Sequence, residues 1–274
     1  MSPDLSVVIP TFRRPQLLSE TLGSVLAQPG VKLEVIVVDD SPEGSAREVV
    51  ARLRDPRVAY LNNPTPTGGV PSIVRNLGWP RARGGLIHFL DDDDIVPDRH
   101  YAEVMAAFAE RPNVGVIFGR VEPFGDAPPA QLAGEKQFFA EAARRASSCN
   151  RFGSRWGFAA RMMFDRAMFI CSAAIVRRDS VMQTGGFDPS IRLREDVDFY
   201  ARVIRRFGAH FMDRVSIRYR IGSPSLMHAP KLAEEDIRDI ERGRRRTQSR
   251  FRSEQGAAEY YILKLFAKTV LRMV

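Results

Sequence analysis

The chain has 274 residues, 44% hydrophobic and 27% charged, with a formal net charge of +8. That is the composition of an ordinary globular protein long enough to bury a sizeable core. Two cysteines, Cys149 and Cys171, are too few for a disulfide framework and lack metal-ligand spacing, and no apolar run approaches the roughly 18–20 residues of a membrane span. With no basic leader or cleavage site at the start, the expected location is the cytoplasm or the cytoplasmic face of a membrane.

The first third alternates short β-branched runs with helical periodicity. Leu5 to Pro10 reads as a buried strand, followed after Pro15 by apolar residues at helical spacing through Leu26. Further strands are expected at Glu34 to Val38, Val58 to Leu61 and Gly85 to Leu90, with helices at Ser45 to Arg54 and Ser72 to Leu77. This order implies a parallel sheet with helices on its faces, in which ligands bind outside the carboxyl ends of the strands. Farther on the spacing predicts helices over 97–110, 138–146 and 196–207. Strands are predicted over 114–118, 169–176 and 211–219, and an exposed loop over 125–134.

Each early strand ends in polar residues. Strand one runs into Pro10-Thr11-Phe12-Arg13-Arg14, strand two into Asp39-Asp40-Ser41, and strand four into Asp91-Asp92-Asp93-Asp94. An acid after strand two also suits a dinucleotide-binding domain, but that reading needs a GxGxxG turn after strand one, and Thr11-Phe12-Arg13-Arg14 offers none. Four adjacent aspartates repel one another unless a cation neutralises them. Capping of the helix near Pro97 accounts for one or two of them, not for all four. Hard oxygen ligands of this kind suit Mg²⁺ or Mn²⁺ bound together with substrate phosphates.

From Leu5 to about His228 the chain resembles the family 2 glycosyltransferases of GT-A fold. The pieces are Val7-Val-Ile-Pro-Thr-Phe12, Val35-Ile-Val-Val-Asp-Asp-Ser41, Arg75-Asn-Leu-Gly78, Leu90-Asp-Asp-Asp-Asp94, Gly185-Gly-Phe-Asp188 and Glu195-Asp196. The resemblance implies an α/β fold with a mostly parallel central sheet, a nucleotide-sugar-binding half over 1–100 and an acceptor-binding half over 101–228. It implies that Pro10, Thr11, Phe12, Arg13, Asp39, Arg75 and Asp92 hold the nucleotide, that Gly185 and Gly186 lie near the donor sugar, and that Asp93 with Asp91 holds the metal. His228, after the late strands, is implied to complete the metal site or touch the diphosphate; a surface or core histidine is the alternative. Asp196 is implied to be the general base, supported by Glu195, in an inverting displacement. An acidic first turn on the helix ending at Phe207 is the structural alternative for that pair. Arg192 and Arg194 suit either a phosphate or a solvated loop. The implied donor is a nucleotide diphosphate sugar, most often UDP-linked, and the acceptor a glycan, lipid-linked or small-molecule hydroxyl. The rival activities are a nucleotidyltransferase, which lacks its glycine-rich loop here, and a non-catalytic sugar-nucleotide- or glycan-binding module.

Residues 229–274 read as a helical basic extension, with six arginines and no acid between Arg242 and Arg252. In 257–274, Lys264, Lys268 and Arg272 form one stripe, while Tyr261, Ile262, Leu265, Phe266, Val270 and Leu271 cover much of the rest. This pattern fits an interfacial helix on an anionic membrane surface; a helix packed on the catalytic domain or across a homodimer fits equally. One interleaved aromatic, Phe251, and no binding motif argue against nucleic acid.

Overall fold

The structure is a computed structural model that describes residues 2–222 and 234–272. Strands β1 (Leu5–Thr11), β2 (Leu33–Asp39), β3 (Val58–Asn62) and β4 (Leu86–Phe89) alternate with helices α1 (Pro15–Leu26), α2 (Arg47–Leu53) and α3 (Pro71–Gly78). Strands β5 (Val116–Gly125), β6 (Ala174–Arg177) and β7 (Ala209–Ile221) complete a single seven-stranded sheet of order β3-β2-β1-β4-β6-β5-β7. β1 pairs in parallel with β2 and β4, β2 with β3, and β5 with β7, whereas β6 runs antiparallel to both β4 and β5. One sheet therefore carries strands from both expected halves. The flanking helices are α4 (His100–Glu110), α5 (Pro129–Cys149), α6 (Trp156–Phe164), α7 (Arg178–Thr184) and α8 (Glu195–Phe207).

β1 and β2 are buried on both faces, which is why they read as continuous apolar runs rather than alternating ones. Their neighbours reverse on either side of β1, the point at which such sheets open a crevice at their carboxyl ends. The β1–β4 register pairs Val8 with Phe89. Extending it three residues sets Thr11 beside Asp92. Gly78 lets α3 lie close on the sheet: a Cβ there would meet Val8 Cγ1 at 2.6 Å and Val38 Cγ2 at 2.9 Å. That approach carries Arg75, one turn earlier, to the crevice edge.

Several predicted boundaries shift. The exposed loop expected to Gly134 ends sooner, because α5 starts at Pro129, a residue whose fixed φ and missing N–H suit a first turn. The strand expected over 169–176 pairs only from Ala174, since Cys171–Ala173 form a 3₁₀ turn. That turn lets Ser172 serve the crevice: its hydroxyl bonds the Asp91 amide N–H at 3.1 Å, and its carbonyl meets His88 Nε2 at 2.8 Å. Burial lowers the His88 pKa to about 4, so the imidazole is neutral and structural.

The C-terminal helices α9 (Glu234–Gln255) and α10 (Ala257–Lys268) lie against α6 and α8. Two of the clustered arginines point inward. Arg246 Nε bonds Asp188 Oδ2 at 2.7 Å, and Arg250 bonds Asp188 and, at 3.0 Å, the fully buried Asp198. Thr247 Oγ1 adds a bond to Asp198 at 2.9 Å. Tyr260, Leu263, Ala267 and Leu271 are buried in the main core, and Arg161 Nη2 donates to the Leu271 carbonyl at 2.7 Å. Part of the basic, amphipathic extension is thus internal packing. Among the described residues no helix is long and apolar enough to cross a membrane.

Candidate active site

A crevice of about 910 Å³ opens at the carboxyl ends of β1 and β4. Pro10, Thr11 and Phe12 line it, together with Arg75, Asp91, Asp92, Asp93, Glu195 and Asp196. The structure therefore brings together three motifs spread over residues 10–196 of the sequence.

The acidic run is held by three arginines and a threonine. Thr11 Oγ1 donates to Asp92 Oδ2 at 2.6 Å, the contact that the β1–β4 register sets up. Arg14 Nη1 bridges Asp92 Oδ1 at 3.2 Å and Asp93 Oδ2 at 3.0 Å. Asp94 is fully buried; its Oδ1 accepts from the Arg220 amide N–H at 3.1 Å, while Arg220 Nε donates to the Asp93 carbonyl at 2.8 Å. Burial raises the Asp93 carboxyl to about 7, and the neighbouring Asp92 and Asp91 add to the rise against the opposing Arg14. Asp94, deeper still, is pushed well up by burial.

Arg75 joins the acidic run to the Glu195-Asp196 pair. Its guanidinium is buried and bonds Asp91 Oδ1 at 2.6 Å and Glu195 Oε1 at 2.5 Å. Phe187 lies under it, 5.2 Å from ring centroid to guanidinium carbon. Glu195 and Asp196 open α8, whose N-cap residue Arg194 adopts φ +62°, a conformation uncommon outside glycine. Burial raises Glu195 to about 7, with Arg75 pulling it down and Asp196 pushing it up. Burial raises Asp196 as well, against Arg75 and Arg194.

Other residues sit elsewhere than the sequence suggested. Arg13, at φ +57°, turns away to Glu43 at 2.9 Å, and Arg14 takes the place in the crevice wall. Asp39 does not line the crevice: it accepts from the Ser41 and Ala46 amides at 2.9 and 2.8 Å and from the Tyr60 hydroxyl at 3.1 Å, fixing the β2–α2 loop. Gly185 and Gly186 do not line it either. Gly185 ends α7 at φ +76° with open space beside it, whereas a Cβ on Gly186 would meet Asn76 Oδ1 at 2.2 Å, so Gly186 packs the loop against α3. Arg192 lines the crevice but bonds Asp239 at 2.9 Å and Asp236, both on α9. His228 lies outside the described residues.

Two further wall segments carry no signal in the strand and helix spacing. Gly68 and Gly69 line the crevice at φ +78° and +87°; Gly69 packs on the Phe12 ring and donates its amide to Asp40 Oδ2 at 2.6 Å. Phe138, Phe139 and Tyr219 form an aromatic wall. Nothing in the spacing tied the aromatics to a site.

The sheet order, the crevice at its carboxyl edge and the acidic run define a GT-A-type α/β nucleotide-sugar transferase fold. The family model described as "Glycosyl transferase family 2" matches residues 6–183, more than half of the chain. The chain belongs to glycosyl transferase family 2. It is 39% identical over 94 residues to a GalNAc(5)-diNAcBac-PP-undecaprenol beta-1,3-glucosyltransferase of Campylobacter jejuni, covering 34% of this chain and 30% of that one. It is also 39% identical over 98 residues to the succinoglycan biosynthesis protein ExoO of Rhizobium meliloti, covering 35% and 28%. The matches thus span under a third of the length of these curated relatives. In fold it is similar to S. aureus TarS 1-349 in complex with UDP-GlcNAc, at TM-score 0.66 and 17% identity, covering 95% of this chain and 70% of that one. A mannosyltransferase from Pyrobaculum calidifontis in complex with GDP-Man and Mn²⁺ superposes at TM-score 0.62 and 17% identity, covering 100% and 71%.

Replacing Arg75 tests the bridge directly. Arg75→Met leaves Glu195 and Asp91 without their cation and is expected to cost roughly 3–5 kcal/mol in urea unfolding, toward the lower end because the Asp91 side chain stays 35% exposed. A raised carboxyl pKa means the folded state holds its proton more tightly than the unfolded one, so ionisation destabilises as pH rises. The deficit should therefore shrink as pH falls and Glu195 protonates. A loss under about 1 kcal/mol that does not vary with pH would contradict the bridge.

Proposed function

We propose that this protein transfers a glycosyl group from a nucleotide diphosphate sugar, UDP-linked by preference, to a hydroxyl of a glycan, lipid-linked or small-molecule acceptor. The observation that carries the reading is the convergence of Thr11-Phe12, Asp91–Asp93 and Glu195-Asp196 on one crevice. Phe12, fixed against Gly69, offers a ring face to a nucleobase, and Pro10 and Thr11 form the adjacent wall. Fold relatives in complex with UDP-GlcNAc and GDP-Man support a donor of this class.

The donor set fits a hard divalent cation, Mg²⁺ or Mn²⁺. Asp91 and Asp93 each give one oxygen to an arginine, and Asp93 has its proton affinity raised by burial and unbalanced negative neighbours. Among the described residues no three acid, histidine or cysteine side chains converge on a preformed cage. That suits a metal bound by one or two carboxylates plus the donor's phosphates. When bound, the cation stabilises charge on the leaving diphosphate.

Asp196 accepts the acceptor hydroxyl proton as that oxygen forms its bond to the anomeric carbon. The carbon–oxygen bond to the diphosphate breaks on the opposite face, inverting the centre. Arg75 holds Glu195 and so fixes the start of α8 from which Asp196 projects. A nucleotidyltransferase reading leaves the Glu195-Asp196 pair without a role.

The outer face of α10 suits an anionic membrane surface. Tyr261, Ile262 and Leu265 are 53–64% exposed beside Lys264 and Lys268, while Leu263 and Ala267 face the core. Apolar insertion and about 1 kcal/mol per nearby cation act together there. A cytoplasmic protein bound peripherally to the inner face follows. A second copy of the chain covering the same face is the competing occupant.

Two outcomes are expected. Asp196→Asn should keep donor affinity while turnover falls roughly 10²–10⁴-fold. In the native enzyme the rate should fall with decreasing pH while still above the ordinary carboxylate range, because burial raises both acids of the pair. Equal losses of donor affinity and turnover would make the pair structural. For the tail, the intact chain should sediment with phosphatidylserine-rich vesicles, less so as salt rises, and Ile262→Ser with Leu265→Ser should release it. Absence of vesicle binding, with a mass that grows with concentration, would assign the face to a dimer.

A further inference from the structure

The crevice extends past the donor-side motifs. At about 910 Å³ it lies near the upper end of the ~300–1,000 Å³ spanned by small-molecule pockets. The wall made by α5, residues 165–171 and the end of β7 contains none of the donor-side motifs. Of the large exposed hydrophobic side chains among the described residues, only Phe138 lines the crevice. Its ring is 41% exposed, yet it is braced: Phe139 meets it edge-on at 5.1 Å, and Phe139, itself buried, meets Tyr219 at 5.7 Å. A ring so held loses little freedom when something stacks on it.

Two charged residues share the crevice lining with this ring. Glu135 precedes it by three residues on α5, hence on the same helix face, and also lines the crevice. Arg166 lines the crevice from the 165–171 segment and forms no ion pair among the described residues. A flat apolar face in a crevice wall that also offers a carboxylate and a guanidinium matches a pyranose, which presents a C–H face and a rim of hydroxyls. A polyprenyl tail would instead need a continuous apolar trough.

We infer that Phe138 is the stacking platform of an acceptor subsite that binds a carbohydrate, with Glu135 accepting from and Arg166 donating to its hydroxyls. The inference rests on the glycosyl-transfer reading and narrows its acceptor to a sugar ring.

Saturation-transfer NMR on the full chain with UDP, Mg²⁺ and a panel of methyl glycosides and short oligosaccharides tests it. At least one sugar should bind, with saturation concentrated on the C–H protons of one ring face. Phe138→Ala should weaken that binding about tenfold, equivalent to roughly 1.4 kcal/mol of stacking, and Phe138→Trp should restore it. UDP affinity should be the same in all three proteins. Binding of UDP but of no sugar, or sugar binding unaffected by Phe138→Ala, would overturn the acceptor subsite and leave the donor reading standing. Weaker UDP binding in Phe138→Ala would overturn it by moving Phe138 to the nucleotide. If the native chain fails to bind UDP, the donor reading falls, and the subsite with it.

Discussion

Six carboxylates, Asp91 to Asp94 with Glu195 and Asp196, meet at one edge of the sheet, and three arginines reach them from α3, the β1–α1 turn and β7. Arg75 matters most, because it alone spans the acidic run and the start of α8. Buried charges on this scale are not a source of stability, since desolvation offsets most of the attraction. They persist where geometry is needed. Burial, more than the neighbouring charges, raises Asp93 and Glu195 to about 7, leaving the crevice suited to a cation on one side and to proton transfer on the other.

The rest of the architecture serves that edge. Parallel pairing of β1 with β4 sets Thr11 on Asp92. Gly78 lets α3 settle far enough onto Val8 and Val38 for Arg75 to reach inward. On the opposite side, α9 grips α8 through Arg250 and Thr247 on Asp198, two residues after Asp196, and grips the Gly185–Asp188 loop through Arg246. The C-terminal helices thereby restrain the helix that presents Asp196. Loss of α10 would remove Leu263 from the core and uncover the side chains it packs on.

Much of this was legible in the chain. Apolar runs ending in Thr11, Asp39 and Asp91 place polar groups at strand ends, and the parallel order brings those ends together. What could not be read was direction. Arg13 and Arg14 are adjacent and chemically identical, yet a positive φ at Arg13 turns one toward Glu43 and leaves the other at Asp92. Asp39 carries the expected chemistry but satisfies its own loop. The arginines of α9 read as part of a basic extension facing an anionic surface because their partners, Asp188 and Asp198, lie some fifty to sixty residues earlier. The aromatic wall at Phe138 follows only from tertiary packing, which periodicity does not encode.

The acidic run is proposed to form, with a donor's phosphates, the seat of a divalent cation. Calorimetric titration of UDP into the full-length protein, with and without Mn²⁺, tests it most directly, alongside Asp93→Ala shown to be folded by circular dichroism. The native chain should bind UDP more tightly when Mn²⁺ is present, and the variant should lose that enhancement because the bridging carboxylate is gone. UDP binding that gains equally from Mn²⁺ in both proteins, or that ignores the metal in the native one, would contradict the account.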